Sequence, residues 1–433
     1  MIKRVITANC DQIEPTSVKE YEQAGGLRGL KKALKMTPRE IIREIKQSNL
    51  RGRGGAGYPT GSKWEQLLNI KGTPKYIVAN ADEGEPGTFK DKLLLEKDPL
   101  RVLEGMIIAG YVFQAKKGYL YLRGEYAFLE KLLLEALAEL EEAGYLGENI
   151  LKTDFSFAIE IHLGAGAYIC GENSALLNSL EGKIGRPRVK PPHLAEVGLY
   201  GQPTLVNNVE TFACIPTIVE QGGKKYAAWG TAASGGTKLV CLSGHIARPG
   251  VYEVPFGLTL RDLIFDLGGG PRERKIKFYH LGGQSGPCGF LHQLDTPYCY
   301  QALKEVGLSV GSGAIVVLDE SVCVLDYLKQ VTEFFRHESC GKCTPCREGN
   351  KQLFFLLEKL TRGEGSKEDL KLIKRLSNLL RTASFCGLGR SATRALDTCW
   401  EHLETEILAH LDKHCPAGVC FAQGGRGAVD MKL

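Results

Sequence analysis

No apolar run in this 433-residue chain reaches the roughly 18 residues a membrane-spanning helix needs, so no direct membrane insertion is expected. The opening Met1-Ile-Lys-Arg-Val-Ile is not followed by the apolar core of a signal peptide. Charge of one sign is also scarce. With 55 basic and 50 acidic residues the excess is only +5, which gives no electrostatic reason to expect a nucleic-acid partner. There is no long low-complexity tract and no internal repeat. Cysteine, by contrast, is plentiful. Fourteen thiols without an export signal read as reduced thiols and metal ligands of a cytoplasmic protein rather than a disulfide scaffold.

The strongest chemical signal is Cys340-Gly-Lys-Cys343-Thr-Pro-Cys346, with a fourth candidate at Cys386. Thiols at C-x-x-C-x-x-C spacing pair poorly with one another but can turn inward around a compact inorganic core. That is iron–sulfur ligation. At 43% hydrophobic and 24% charged, the chain can bury several cores. Residues 1–50 are charged and mostly helical in pattern, and Thr37-Pro-Arg-Glu opens a helix with proline at its first position. From about Leu50 to Ala233, glycine-rich turns alternate with strands such as Tyr76-Ile-Val-Ala and helices such as Phe128 to Glu142, an α/β layer. Ser234-Gly-Gly reads as a hinge. Residues 237–318 read as a small α+β module of short strands around one helix at Thr259–Leu267. From Ser321 to about Leu411 the apolar period is that of an amphipathic helical bundle carrying the cysteines. The stretch Gln423-Gly-Gly-Arg-Gly reads as a flexible tail. The domain limits expected are 1–233, 237–318, 321–414 and 415–433.

Arg51-Gly-Arg-Gly-Gly-Ala-Gly57 contains a G-x-G-x-x-G spacing, but no strand clearly precedes it. Its glycines allow backbone amides to approach a phosphate, and Arg51, Arg53 and Lys63 offer positive charge. Asn80-Ala-Asp-Glu-Gly-Glu-Pro-Gly87 follows a strand and places amide and acid groups where α/β sheets bind ligands. Three carboxylates so close must be solvated, metal-bound or hydrogen-bonded. Gly164-Ala-Gly-Ala-Tyr-Ile-Cys-Gly-Glu172 and Val206-Asn207-Asn208 add further glycines and amides. Together these suit a nucleotide or flavin. They do not suit a Ser/His/Asp hydrolase, for which no nucleophile elbow is evident.

Leu50–Trp64, Asn80–Asp91, Gly164–Gly171, Pro203–Thr211 and Glu338–Gly349, in one colinear order, resemble the signatures of the 51 kDa flavoprotein of respiratory complex I, the F-type component of NADH-quinone oxidoreductase. The same flavoprotein is shared by soluble NAD-linked hydrogenases, formate dehydrogenases and electron-bifurcating enzymes. The resemblance implies a Rossmann-like flavin domain, a ubiquitin-like module and a cluster-bearing helical bundle. It implies that Gly52, Arg53, Gly54, Gly55, Gly57 and Lys63 hold the phosphate and ring edge of FMN. Asn80, Asp82, Tyr168, Gly171, Glu172, Val206, Asn207, Asn208 and Thr211 would line the rest of the flavin site. Glu83 and Glu85 would sit where the nicotinamide stacks, and Cys340, Cys343, Cys346 and Cys386 would hold a [4Fe–4S] cluster. The activity implied is electron exchange between NAD(P)(H) and partner iron–sulfur subunits. The first partner expected is a thioredoxin-like [2Fe–2S] protein of the 24 kDa type.

The chain also departs from the family. Where two adjacent glutamates are usual it has Glu172-Asn173, which removes a carboxylate that would repel a 2′-phosphate. Of the adenine-stacking aromatics, Tyr58 stays aromatic, while Gln66 and His193 replace two others. With Arg188 and Lys190 nearby, this points toward tolerance of NADPH. His410-x4-Cys415-Pro-Ala-Gly-Val-Cys420, with Cys323, is a ligand set suited to tetrahedral zinc, and the stretch resembles the tail of bifurcating-hydrogenase flavoproteins. Both departures tilt the expectation toward a soluble hydrogenase, formate dehydrogenase or bifurcating complex, with complex I as the alternative and a non-catalytic iron–sulfur scaffold as a third.

Overall fold

The computed structural model describes residues 4–421, so the tail expected at 423–427 lies outside the described residues. The first sheet has four parallel strands, β1 (Tyr76–Ala81), β2 (Lys117–Leu122), β3 (Ala158–Leu163) and β4 (Thr204–Asn208), in the order β3-β2-β1-β4. The order reverses beside β1, and in such sheets the crevice outside the strand ends is where ligands bind. Asn80 and Asn208 are paired across β1 and β4 at that end. The helices Pro99–Phe113 and Val209–Gln221 are almost wholly buried, so the sheet is covered as a parallel sheet must be. The helix at Pro38–Gln47 begins with the expected Thr37 cap, reciprocated by Glu40. The helix expected from Phe128 starts at Glu130, because Gly124–Leu129 winds as a tighter turn first.

The second sheet runs β6 (Gly250–Pro255), β5 (Thr237–Gly244), β9 (Ala314–Asp319), β7 (Ile276–Leu281), β8 (Cys288–Gly289). Here β5 and β9 are parallel and the other pairs antiparallel. A helix at Tyr300–Glu305 joins the expected helix, which runs to Leu267 and whose residues Asp262–Leu267 wind as a π-helix. The C-terminal part packs the helices Val324–Glu338, Thr344–Thr361, Lys367–Ala383 and Arg394–Ala409 around Leu353, Leu357, Leu360 and Ile373.

Ser234-Gly-Gly is not a free hinge. Ser234 is fully buried, and a Cβ on Gly235 would come to 1.9 Å from the Ser48 carbonyl oxygen. The glycines are there for close packing, and the junction they form is fixed from both sides. Arg53 donates to the carbonyls of Gly235 and Thr237 at 2.9 Å each. On the second sheet, Lys238 lies 2.6 Å from Glu210, which also accepts from the Leu239 amide and pairs with Lys90 at 3.0 Å. All three charged side chains are shut off from solvent. Two lysines and the desolvated carboxylate between them are tolerable only together. Glu210→Gln should therefore lower unfolding stability by roughly 3–5 kcal/mol, measured by urea unfolding with sheet-sensitive circular dichroism; a loss below about 1 kcal/mol would show that water relieves the site.

Candidate functional site

The carboxyl ends of β1 and β4 open into a cavity of about 570 Å³ with three walls. The first sheet's loops supply one wall, glycines and serines at 282–286 and 309–312 the second, and Gly387 to Arg394 of the bundle the third. The volume is that of a cofactor-sized site. Among the expected residues, Gly54, Gly55, Asn80, Asp82, Glu83, Glu85, Tyr168, Gly171, Glu172 and Asn208 line it.

Of three nearby carboxylates, two are turned to different partners and the third is left open. Glu83 turns down onto the helix Lys90–Lys97, accepting from the amides of Asp91 at 2.9 Å and Lys92 at 3.0 Å and from the Tyr126 hydroxyl. Burial, reinforced by the charge of Asp91, pushes it up to about 7. Glu85 reaches across the cavity, accepting from the Ser285 amide and the Tyr168 hydroxyl, both at 2.7 Å. Burial raises its pKa too. Asp82 alone keeps a free acceptor. Its Oδ2 is shielded from water and has no hydrogen-bond partner, and burial pushes its carboxyl up to about 7 against the pull of Arg123. A buried acceptor left open at a cavity wall is complementary to a ligand hydroxyl or N–H.

Several expected site residues act from behind the wall or lie away from it. The Arg53 guanidinium is entirely buried over the Phe256 ring and does not point at the cavity, because it satisfies the Gly235 and Thr237 carbonyls. Its backbone N–H donates to Thr211 Oγ1 at 2.9 Å, so Thr211 fixes the glycine loop. Arg51 is likewise engaged, with the carbonyls of Ala233 and Gly57. The guanidinium groups of Arg51 and Arg53 therefore hold the junction between the two sheets rather than facing the cavity. Gly52 accepts from the Tyr300 hydroxyl at 3.2 Å, and a Cβ on Gly57 would meet the Tyr300 ring at 2.5 Å. Gly54 packs tightly at the wall itself, where a Cβ would come to 3.0 Å from Asn208. Lys63 donates to the Val206 carbonyl, and burial and then the neighbouring Lys190 lower its ammonium to about 8. Val206 and Asn207 are buried in β4.

Asn173 begins a helix capped by Glu172, within 3.5 Å of the Asn80 amide. Tyr58 and His193 are exposed, with the Tyr58 hydroxyl bonded to Gln66 at 2.8 Å. Arg188 is not available to a ligand phosphate, because it is spent on Asn178, Gly198 and Glu181. Lys190 pairs with Glu172 at 3.0 Å. Sequence reasoning missed Ser285, Ser312, Arg390 and Arg394, which reach the cavity from the other two walls. No local pattern marks them.

Cys340, Cys343, Cys346 and Cys386 line a small cavity with Ile169, Pro187 and Leu388. Gly341 takes φ +74° between the first two, and Cys346 enters the first turn of Thr344–Thr361 after Pro345. Burial pushes the Cys346 thiol up to about 11, so a thiolate there calls for the charge of a metal core. Ile169 and Leu388 line this cavity and the larger one alike. The Glu338 carboxylate, two residues before Cys340, accepts from the Tyr168 amide at 2.9 Å. A separate set gathers Cys323, His410, Cys415 and Cys420, whose ligand atoms all lie within 4.8 Å of one another. His410 Nδ1 faces the Glu406 carbonyl at 2.8 Å, leaving Nε2 turned to Cys323 Sγ at 3.3 Å.

Residues 45–217 match the Nuo51 FMN-binding domain, 326–410 the NADH-ubiquinone oxidoreductase-F iron–sulfur binding region, and 239–288 the SLBB domain. The chain is 45% identical to an F-type NADH-quinone oxidoreductase protein of Rhizobium meliloti (strain 1021) over 419 residues, covering 96% of this chain and 100% of that one. It is 45% identical to the HndC protein of the NADP-reducing hydrogenase of Solidesulfovibrio fructosivorans over 421 residues, covering 97% and 86%. A crystal structure of NAD+-reducing [NiFe]-hydrogenase in the H2-reduced state superposes with a TM-score of 0.84 at 36% identity, over 95% of this chain and 67% of that one.

The raised carboxyl of Asp82 gives a pH test. A carboxyl at about 7 in the folded protein and near 3.8 when unfolded adds stability at low pH that is lost as pH rises through that window. Asp82→Asn does not titrate. In flavin-free protein its melting temperature should gain on the parent between about pH 4 and pH 7 and hold level above. A pH-independent difference would mean Asp82 is solvated.

Proposed function

This chain belongs to the family of F-type NADH-quinone oxidoreductase flavoproteins and their hydrogenase relatives, and on that premise we propose that it exchanges electrons between NAD(P)(H) and partner iron–sulfur subunits. FMN would occupy the three-walled cavity and a [4Fe–4S] cluster the four-cysteine cavity. FMN held there would supply the chemistry that links two-electron hydride transfer to one-electron transfer. The chain's own residues do the rest. Gly54 and Gly55 keep the wall open to close approach, Asp82 accepts from the ligand, and Asn80 and Asn208 frame the strand ends. Glu83 and Glu85 fix the floor and the lip where a nicotinamide would stack. The observation that carries this reading is that Ile169 and Leu388 line both cavities, so that a flavin and a cluster held there would be near enough to exchange electrons without a mobile carrier.

The domain limits given above, a ubiquitin-like module at 237–318 and a thioredoxin-like [2Fe–2S] partner in the cytoplasm complete the reading. The strand order of the second sheet, with its first and last strands parallel at the centre, supports the module. The tail set at Cys323, His410, Cys415 and Cys420 supports structural zinc and, with it, a soluble hydrogenase, formate dehydrogenase or bifurcating assembly over complex I. Asn173 leaves one negative charge fewer beside Glu172, and Lys190 stands next to it, so NADPH is accepted as well as NADH.

Anaerobic addition of NADH, and separately NADPH, to protein with its small partner should bleach the flavin and raise the cluster's EPR signal in both cases. Failure with both nucleotides, flavin being present, would reject the donor assignment. Asn173→Glu should raise the preference for NADH over NADPH roughly tenfold; unchanged discrimination would make Asn173 incidental. Cys415→Ser should lose zinc, measured by plasma emission spectrometry, while cluster iron is kept. Unchanged zinc content would remove that site.

A further inference from the structure

Asn350 is a costly residue where it stands. It lies in the helix Thr344–Thr361, 1% exposed, on the buried face that also carries Leu353 and Leu357, and its Oδ1 has no hydrogen-bond partner. Asparagine is a poor helix former, and a buried unpaired amide oxygen is penalised. An apolar side chain of similar size would suit the packing better. What the amide does have is a donor in one defined place. It sits one turn after Cys346, and helical side chains lean back toward the preceding turn. Its Nδ2 lies 2.9 Å from the Cys346 carbonyl and 3.5 Å from Cys346 Sγ. Ser339 approaches the same sulfur, with Oγ 3.3 Å away. That hydroxyl oxygen also lies 3.5 Å from the Gly341 amide, from which it accepts, so its own proton is left for the sulfur.

The other donors to cysteine sulfurs in this cavity are backbone amides, that of Phe385 to Cys343 at 3.4 Å and those of Leu388 and Gly389 to Cys386. Cys346 is thus the sulfur on which two side-chain donors converge. Donors to a ligating thiolate draw off charge, and they stabilise the reduced state of a cluster, which is one unit more negative, over the oxidised state. We propose that Asn350 and Ser339 are positioning residues that raise the reduction potential of the cluster by hydrogen-bonding Cys346 Sγ. They would make the cluster a better acceptor for electrons leaving the neighbouring cavity. This rests on the four-cysteine assignment made above.

The test is an EPR-monitored redox titration of anaerobically purified Asn350→Leu, Ser339→Ala and the double variant, with the flavin midpoint read optically in the same samples. Each single variant should move the cluster midpoint downward by up to about 59 mV, tenfold in a one-electron equilibrium. The double variant should move it further, and the flavin midpoint should stay in place. An unchanged cluster midpoint in either single variant that retains its iron overturns the proposal. So does an equal shift of flavin and cluster, which would mark a general disturbance. Loss of the cluster from both single variants also overturns it, making the two side chains determinants of assembly. If the parent protein itself holds no cluster, the four-cysteine assignment fails instead, and the two failures are distinguishable from iron content alone.

Discussion

Glu210 is a carboxylate with no water, held between two lysines that also have none. It sits at the start of the helix Val209–Gln221, directly after β4, and it grips Lys90 beneath the cavity floor and Lys238 on the second sheet. Asn208, one of the wall residues, accepts from the Glu210 amide and donates to Asp91 at 2.6 Å. The floor, the end of β4 and the second sheet are therefore one electrostatic unit. In a low-dielectric interior none of these groups can be released singly without leaving an uncompensated charge, so the angle between the two sheets is set. The second cavity wall is held against the first by that link.

Arg53 extends the same constraint to the glycine loop. The guanidinium is buried over Phe256, and its Nη2 finds two peptide carbonyls at the junction between the sheets, while Nε and Nη1 have no partner. The loop is held from its side chain by the second sheet and from its backbone by Thr211. Glu85 makes a comparable crossing at the lip, from the end of β1 to Ser285. The Tyr168–Glu338 contact then ties this lip to the segment that opens the cysteine loop. Of these crossings, the Tyr168–Glu338 contact is the one that joins the first sheet's loops to the bundle beside Ile169.

The ligand-bearing motifs were legible in the chain because their chemistry is local. Thiols three residues apart in a loop with Gly341 and Pro345 must converge wherever the loop is placed, and glycine, amide and acid clusters after a strand must sit at the sheet's carboxyl end. The zinc-type set was readable for a related reason. Cys415 and Cys420 are close in sequence, and His410 precedes them on the last helical turn. Cys323 joins them only because the helix it caps packs against the last helix.

What the sequence could not convey was direction. Arg53 and Lys63 read as phosphate-binding cations, and Arg188 as a specificity cation, because positive charge near glycine or near the adenosine end is ambiguous until its neighbours are known. The structure turns Arg53 and Arg188 into internal fasteners and leaves Lys190 beside Glu172. Ser234-Gly-Gly reads as a hinge because small residues permit motion, yet here they permit contact closer than any Cβ allows. The sequence by itself determined the family, the order of the motifs and the chemistry of the ligands, since these rest on residue type and short spacing. Only the tertiary structure decided how Asp82, Glu83 and Glu85 are sorted and which cations face inward. It alone decided that Ile169 and Leu388 serve two cavities at once. Those outcomes depend on desolvation and on contacts between segments far apart in the chain, and no short stretch of sequence encodes either.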